Sequence, residues 1–188
     1  MPHRTFLAVD LDADIRDRLV RCQRDVVDPR DKVNLVSLPN LHITLNFLGD
    51  VADELLPEAL KTISATAGQV EPFDVDVRGS VVVPSSGPVR MLWASVEDPT
   101  GRLSGLYESL SDSFRGLGLR QEDRRYIPHV TLARVRFLVG IPAFRQRAQR
   151  FAQEDFGVQH VREIVAYTSV LCSDGPTYTP LARADLRV

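Results

Sequence analysis

Two short segments of the sequence repeat one pattern: histidine, an apolar residue, threonine and leucine. The first reads LHITL at residues 41–45 and the second reads PHVTL at residues 128–132. Side chains alternate between the two faces of a β-strand, so each histidine projects on the same side as its threonine, while the apolar residue and the leucine face a core. Each strand would therefore present one imidazole beside one hydroxyl.

The chemistry open to this arrangement is proton transfer on an anion. The chain has four histidines, and two of them, His42 and His129, occupy the identical pattern. One such strand alone is compatible with a structural histidine, but the repetition favours a shared site. Imidazole titrates at about pH 6.5, so a neutral histidine can accept a proton from water while a protonated one donates to a leaving oxygen. The hydroxyls of Thr44 and Thr131 can donate hydrogen bonds to the non-bridging oxygens of a phosphodiester.

A metal site is a second interpretation of the two histidines. Neither motif contains a cysteine or carboxylate beside its histidine, which leaves an incomplete ligand shell. The two cysteines, Cys22 and Cys172, are far apart and form no CxxC pattern. The sequence therefore predicts no metal, no cofactor and no disulfide.

Apolar periodicity and turn residues predict the elements that must position the motifs. Strands are predicted at residues 5–11, 33–36, 41–48, 73–83, 89–96, 127–135, 161–171 and 179–186. Helices are predicted through about residue 26 after an aspartate cap, and at 53–67, 101–117 and 143–155. Gly49 and Asp50 are expected to end the first motif strand. Strand, helix and strand thus follow one another in both halves.

Length and composition set outer limits. A chain of 188 residues, 44% hydrophobic and 26% charged, suits one compact domain. A formal charge of −2 argues against coating long nucleic acid and leaves room for a local basic pocket. The sequence has no apolar window long enough for a membrane span and no signal-peptide pattern at its start, which predicts a cytoplasmic protein without a membrane partner.

The segments HITLNFLG and HVTLARV resemble the two signature motifs of the two-histidine phosphoesterase superfamily. The likeness extends to the opening strand RTFLAVDL, to LPNLH, to VPSSGPVRMLWASV and to the ending DGPTYTPLARADL, and so covers nearly the whole chain. Within the superfamily the chain looks most like the RNA 2',3'-cyclic phosphodiesterases, historically called 2'-5' RNA ligases.

We therefore expect an α+β fold of two pseudo-symmetric lobes within a single domain, residues 1–188. Each lobe is an antiparallel sheet with helices on its outer face, and the active-site cleft lies between the sheets. The resemblance implies hydrolysis of a terminal 2',3'-cyclic phosphate on RNA or an oligonucleotide to a 2'-phosphomonoester, without a metal. We expect the protein to be a monomer.

The resemblance also implies a role for each motif residue. His42 matches the proton donor to the departing 3'-oxygen, and His129 matches the acceptor that activates water. Thr44 and Thr131 match phosphate-binding hydroxyls, and Arg134 matches an arginine that neutralises the phosphate. Arg134 follows His129 by five residues. An odd offset faces away from the site unless the strand ends or bulges first.

Other residues are assigned to structure. His3, near the terminus, and His160, in a predicted loop, are expected to be solvated. Tyr126 and Trp93 could stack on a base, but as strand aromatics they are expected to pack in the core. Residues 85–87 are predicted to form a turn.

Three other functions remain open at this point. A cyclic phosphodiesterase for small nucleotides and a 2'-5' RNA ligase would use the same acid and base. A non-catalytic protein that binds RNA ends or nucleotides would use the same cleft, and turnover against stoichiometric binding separates it from the enzymes.

Overall fold

The computed structural model describes residues 3–119, 121, 125–172 and 175–187. The strands are β1 (His3–Asp10), β2 (Lys32–Leu35), β3 (His42–Val51), β4 (Phe73–Val83), β5 (Met91–Glu97), β6 (His129–Phe137), β7 (Asp155–Val161), β8 (Glu163–Cys172) and β9 (Gly175–Asp185). The helices are α1 (Ala13–Val26), α2 (Leu56–Ala67), α3 (Arg102–Gly116) and α4 (Ile141–Gln149), and a short 3-10 turn, Leu38–Asn40, precedes β3.

The strands are antiparallel and follow the order β7-β4-β5-β6-β3-β1-β8-β9, with β2 paired to β6. At the centre, β3 and β6 meet through the pair Ile43 and Val130. This contact divides the sheet into two groups of strands. We call β3, β1, β8 and β9 the β3 lobe, and β6, β5, β4, β7 and β2 the β6 lobe. The predicted α+β fold with two antiparallel lobes is confirmed, and the lobes are joined where the two motifs meet.

Two of the helices pack on the lobe opposite to the strand that precedes them. Helix α1 follows β1 of the β3 lobe but packs on β6 and β7, while α3 follows β5 of the β6 lobe but packs on β3. Helix α2 packs on β8 and β9, and α4 packs on β4. Each lobe is therefore assembled from both halves of the chain.

One contiguous core holds the elements together. In α1, Ile15, Leu19 and Cys22 are buried on one face, as their spacing predicts. In β3, Ile43 and Leu45 are buried and point away from the half-buried motif side chains. Burial of one large apolar side chain stabilises the fold by about 1.5–3 kcal/mol. The apolar residues of each motif thus anchor its strand while the polar ones remain accessible.

Two sequence-based boundaries are wrong. Strand β3 does not end at Gly49 and Asp50 but continues to Val51, because Gly49 adopts a φ of 70° beside a register shift and keeps the strand paired. Helix α4 ends at Gln149 instead of Asp155, and residues 155–161 form β7. A bulge at Phe156 interrupts the two-residue alternation of β7, so the sequence lacks the pattern that predicts a strand.

Among the described residues, none of the helices has the length and apolar character that crossing a bilayer requires.

Candidate active site

The centre of the sheet brings the two motifs side by side. Ile43 of β3 is the register partner of Val130 of β6. Because the two strands are antiparallel, His42 lies at the Thr131 end of the other motif, and Thr44 lies at its His129 end. These four polar side chains share one face of the sheet, and both histidines and both threonines are half-buried there.

His42 is held by hydrogen bonds at both ring nitrogens. Its Nδ1 lies 2.7 Å from the carbonyl oxygen of Asn40, and its Nε2 lies 3.0 Å from the hydroxyl oxygen of Thr44. A carbonyl oxygen only accepts, so Nδ1 carries a hydrogen and Nε2 is the nitrogen open to proton exchange. The ring packs against Phe6 at a centroid distance of 5.1 Å and makes a T-shaped contact with Tyr178 at 5.6 Å.

His129 is oriented in the same way. Its Nδ1 lies 2.8 Å from the carbonyl oxygen of Ile127, which again leaves Nε2 as the reactive nitrogen. The imidazole stacks on the indole of Trp93 with centroids 3.8 Å apart and planes inclined by 20°. Trp93 is thus half-buried against the histidine, which corrects the expectation that it packs in the core.

Burial shifts both imidazoles toward the neutral form. Desolvation lowers the pKa of His42, and the hydrogen bond to Asn40 and the charge of Asp10 act in the opposite direction. Desolvation and the positive charge of Arg134 lower the pKa of His129, against the hydrogen bond to Ile127. A neutral imidazole can act as a proton acceptor. An imidazole that acts as a donor must be protonated, which requires a neighbouring group that favours its charged form.

A bulge returns Arg134 to the site. Trp93 pairs with Thr131, whereas the preceding Leu92 pairs with Ala133, so β6 carries one extra residue at Leu132. Leu132 and Ala133 are both buried, and the next side chain, Arg134, returns to the face of Thr131. The positive charge of Arg134 acts on both histidines. The bulge therefore removes the objection that strand parity raises against this arginine.

Strand β3 contains the matching irregularity, which the sequence-based reasoning missed. Phe6 pairs with Phe47 and Ala8 pairs with Thr44, so β3 also has one extra residue in this interval. Phe47 consequently lies on the site face and is 51% exposed. It follows His42 by the same five residues that separate Arg134 from His129, and this shared offset was the signal available in the sequence.

The remaining candidate residues have other partners than the four motif side chains. Tyr126 donates a hydrogen bond from its hydroxyl to the carbonyl oxygen of Thr44 at 3.0 Å, and its ring stacks on Tyr107 as a packing role predicts. His160 belongs to β7 and bonds Asp74, so the expected loop position is wrong. His3 lies in β1, with its Nε2 3.0 Å from a carboxylate oxygen of Asp53.

The predicted turn at residues 85–87 is held by Arg145, which donates hydrogen bonds to the carbonyl oxygens of Pro84, Ser85 and Gly87. Across the described part of the chain, His, Cys, Asp and Glu side chains form no group of three or more that could hold a metal ion.

The family model of the 2'-5' RNA ligase superfamily matches residues 7–163, which include both motif strands. The chain belongs to this superfamily. A superfamily protein of Methanothermobacter thermautotrophicus, named RNA 2',3'-cyclic phosphodiesterase, is 34% identical over 181 residues, covering 96% of this chain and 97% of that protein. An Escherichia coli protein of the same name is 28% identical over 97% of this chain and 96% of its own length.

Solved structures show the same superfamily fold. A Thermus thermophilus protein superposes with a TM-score of 0.84 at 30% identity, covering 98% of both chains. Escherichia coli LigT complexed with 3'-AMP superposes with a TM-score of 0.77 at 28% identity, covering 99% of both chains. The two-lobed architecture therefore extends over essentially the full length of these relatives.

Proposed function

We propose that this chain is an RNA 2',3'-cyclic phosphodiesterase that converts a terminal cyclic phosphate to a 2'-phosphomonoester. The observation that carries the proposal is the pair of imidazoles on adjoining strands, each fixed through Nδ1 by a backbone carbonyl so that Nε2 is the nitrogen that can exchange a proton. Relatives with this name in archaea and bacteria support the substrate class.

Hydrolysis follows from placing the cyclic phosphate between the two histidines. Nε2 of His129 accepts a proton from water as the water oxygen bonds to phosphorus. The bond from phosphorus to the 3'-oxygen breaks on the opposite side, and Nε2 of His42 gives its proton to that oxygen. The phosphate remains on the 2'-oxygen, and exchange with solvent restores both histidines.

Thr44, Thr131 and Arg134 would bind the phosphate during this step. Hydroxyl donors on each side of the site can bond the two non-bridging oxygens, on which negative charge is concentrated in the transition state. Arg134 adds a permanent positive charge on the same face. Because the proton carriers and the charge-stabilising groups are all side chains, the proposed reaction requires no metal or cofactor.

The test is to incubate the purified chain with a short RNA that ends in a 2',3'-cyclic phosphate, with and without a chelator. Phosphorus NMR against authentic standards should identify a 2'-monophosphate at equal rates in both samples. A 3'-monophosphate product would show that the 2'-oxygen departs, which contradicts the proposed orientation. Turnover that is lost in chelator and restored by one metal would overturn the metal-free mechanism. Stoichiometric binding without product would favour an RNA-end-binding protein.

Parallel reactions with cyclic mononucleotides, and with an RNA bearing a 5'-hydroxyl, distinguish the two other enzymatic candidates. Preference for the mononucleotide would favour a small-nucleotide phosphodiesterase, and a 2'-5' linked product would favour a ligase. The cytoplasmic location, the monomeric state and the single domain over residues 1–188 stay predictions.

A further inference from the structure

The donor histidine has a carboxylate directly beside it on the neighbouring strand. Asp10 of β1 is the register partner of His42 of β3, and directly opposed residues project on the same face with Cβ atoms about 5 Å apart. We propose that Asp10 is a positioning residue, a fixed negative charge that favours the protonated imidazole of His42 and so prepares it to donate. This inference rests on the proposed role of His42.

The Asp10 carboxylate is held in place by two other strands. The Tyr167 hydroxyl of β8 lies 2.8 Å from one carboxylate oxygen and 3.0 Å from the other, and the Arg183 guanidinium of β9 lies 3.5 Å from the group. Desolvation and the neighbouring Asp10 raise the pKa of Tyr167 to about 12, so its hydroxyl remains a donor at neutral pH. The Tyr167 ring also stacks on Phe6, which packs against His42.

Arg183 does not cancel the charge of Asp10, because the same guanidinium binds the carboxylate of Glu163. One guanidinium shared by two carboxylates leaves one negative charge in excess among these three groups. The Asp10 side chain is 27% exposed, so its field on the neighbouring imidazole is only partly screened by water.

The other charges that face His42 oppose its protonation. From β6, His129 and Arg134 both lower the pKa of His42. From β9, the uncharged Tyr178 ring meets the imidazole in an edge-to-face contact. Within the described residues, Asp10 is the carboxylate that acts on this imidazole. It counteracts the cations that a phosphate-binding site requires.

The two halves of the site differ at this position. In the β6 lobe, β5 flanks β6 as β1 flanks β3, and the register partner of His129 is Ser95. A neutral hydroxyl therefore stands beside the acceptor where a carboxylate stands beside the donor. The sheet is nearly symmetric around the motifs, and this difference gives the two imidazoles unequal affinity for a proton.

The experiment is an NMR titration of the His42 ring in the full chain without substrate, so it reports on Asp10 even if the proposed activity is absent. Asp10→Asn keeps an oxygen for the Tyr167 hydroxyl but removes the charge, and the His42 midpoint should move to lower pH. Arg183→Gln removes the opposing charge and should move it to higher pH. The matched control Asp12→Asn removes an equal charge from an exposed side chain beyond the end of β1 and should leave it unchanged.

An unchanged or raised midpoint in Asp10→Asn overturns the proposal, and if that variant does not fold, an unchanged midpoint in Arg183→Gln does so. Kinetics on the cyclic substrate add a second measurement. The ratio of the kcat of Asp10→Asn to that of the unchanged chain should decrease as the pH rises. The decrease should reach about tenfold for each pH unit by which the midpoint moves, with KM unchanged. A purely structural role would instead lower kcat equally at every pH.

Discussion

Each imidazole in the site is fixed by a backbone carbonyl just before its own strand begins. His42 bonds the carbonyl oxygen of Asn40 and His129 bonds that of Ile127, in both cases two residues earlier in the chain. The tautomer and the ring orientation are therefore set locally, and proton exchange is confined to Nε2. What differs is the surroundings, since a threonine hydroxyl bonds His42 while an indole ring covers His129.

Replacing either histidine should abolish most of the activity. General acid or base catalysis contributes about 10²- to 10⁴-fold, so His42→Ala and His129→Ala should each lower kcat by roughly that factor. The two residues act in one proton-transfer cycle, so the double variant should lose less than the product of the single losses. Circular dichroism would verify folding, and near-normal turnover in a folded variant would remove that histidine from the mechanism.

The threonines should affect rate more than stability. Thr131→Val keeps the β-branched shape and deletes one donor, which typically lowers the rate by about 10²-fold. Thr44→Val should lower it further, because the Thr44 hydroxyl also bonds Nε2 of His42. Thr179→Val, at an exposed position of β9, is the matched control and should turn over normally. Variants that melt earlier yet retain full kcat would assign these hydroxyls to structure.

Arg134 should contribute to both binding and rate. A hydrogen bond to a charged group contributes about 1.5–3 kcal/mol, so Arg134→Gln should lower kcat/KM by roughly 10- to 100-fold. Arg150→Gln removes an equal charge from the exposed end of α4 and serves as the control. Equal kcat/KM values in the two variants would place Arg134 outside the phosphate site.

At the scale of elements, alternation predicted the two motif strands and their buried faces, but not the bulges. Each bulge follows its motif threonine, and its extra residue is defined by pairing with another strand, β1 for β3 and β5 for β6. Counting residues along a single strand therefore does not place Arg134 on the face of the motif side chains and does not identify Phe47. The glycine at position 49 likewise predicts a strand end, because nothing in the local sequence indicates that the strand continues beyond it.

Gly49 should be intolerant of a side chain although the space around it is empty. A Cβ atom there would meet nothing within 4 Å, but the backbone φ of 70° is strained for any L-residue, at a cost of about 1–2 kcal/mol. Gly49→Ala should lower Tm. The control Gly105→Ala also adds a methyl group into open space, but in the interior of helix α3, and should stabilise by about 0.5–1 kcal/mol. Equal Tm changes would contradict this explanation.

At the scale of the whole molecule, the features invisible in the sequence are those that join distant segments. Tyr167 and Asp10 are separated by 157 residues, yet they bond directly. The exchange of α1 and α3 between the lobes likewise depends on how the sheet is assembled. Local patterns predicted the helices and every strand except β7, and the resemblance predicted the lobes. The groups that surround the motif histidines lie on neighbouring strands, so identifying them requires the strand order β3-β1-β8-β9.

Burial of the two imidazoles should also make the fold sensitive to mild acid. Desolvation lowers the pKa of both His42 and His129 in the folded chain, whereas in the unfolded chain each returns to about 6.5. Below that value the unfolded chain binds more protons than the folded one. The stability contributed by neutral, buried imidazoles is therefore present above about pH 6.5 and is lost as the pH falls toward the lowered folded values.

Urea unfolding at about pH 7.5 and about pH 5.5 measures this loss as a fall in the free energy of unfolding. A variant with both His42→Asn and His129→Asn keeps polar side chains at these positions but cannot titrate in this window, so its fall should be smaller. Carboxylates with lowered pKa values, such as Asp28 and Asp53, are present in both chains and cancel in the comparison. An equal fall in the two chains would mean that the motif imidazoles bind protons as readily when folded as when unfolded. That result would contradict burial as the cause of their neutral state.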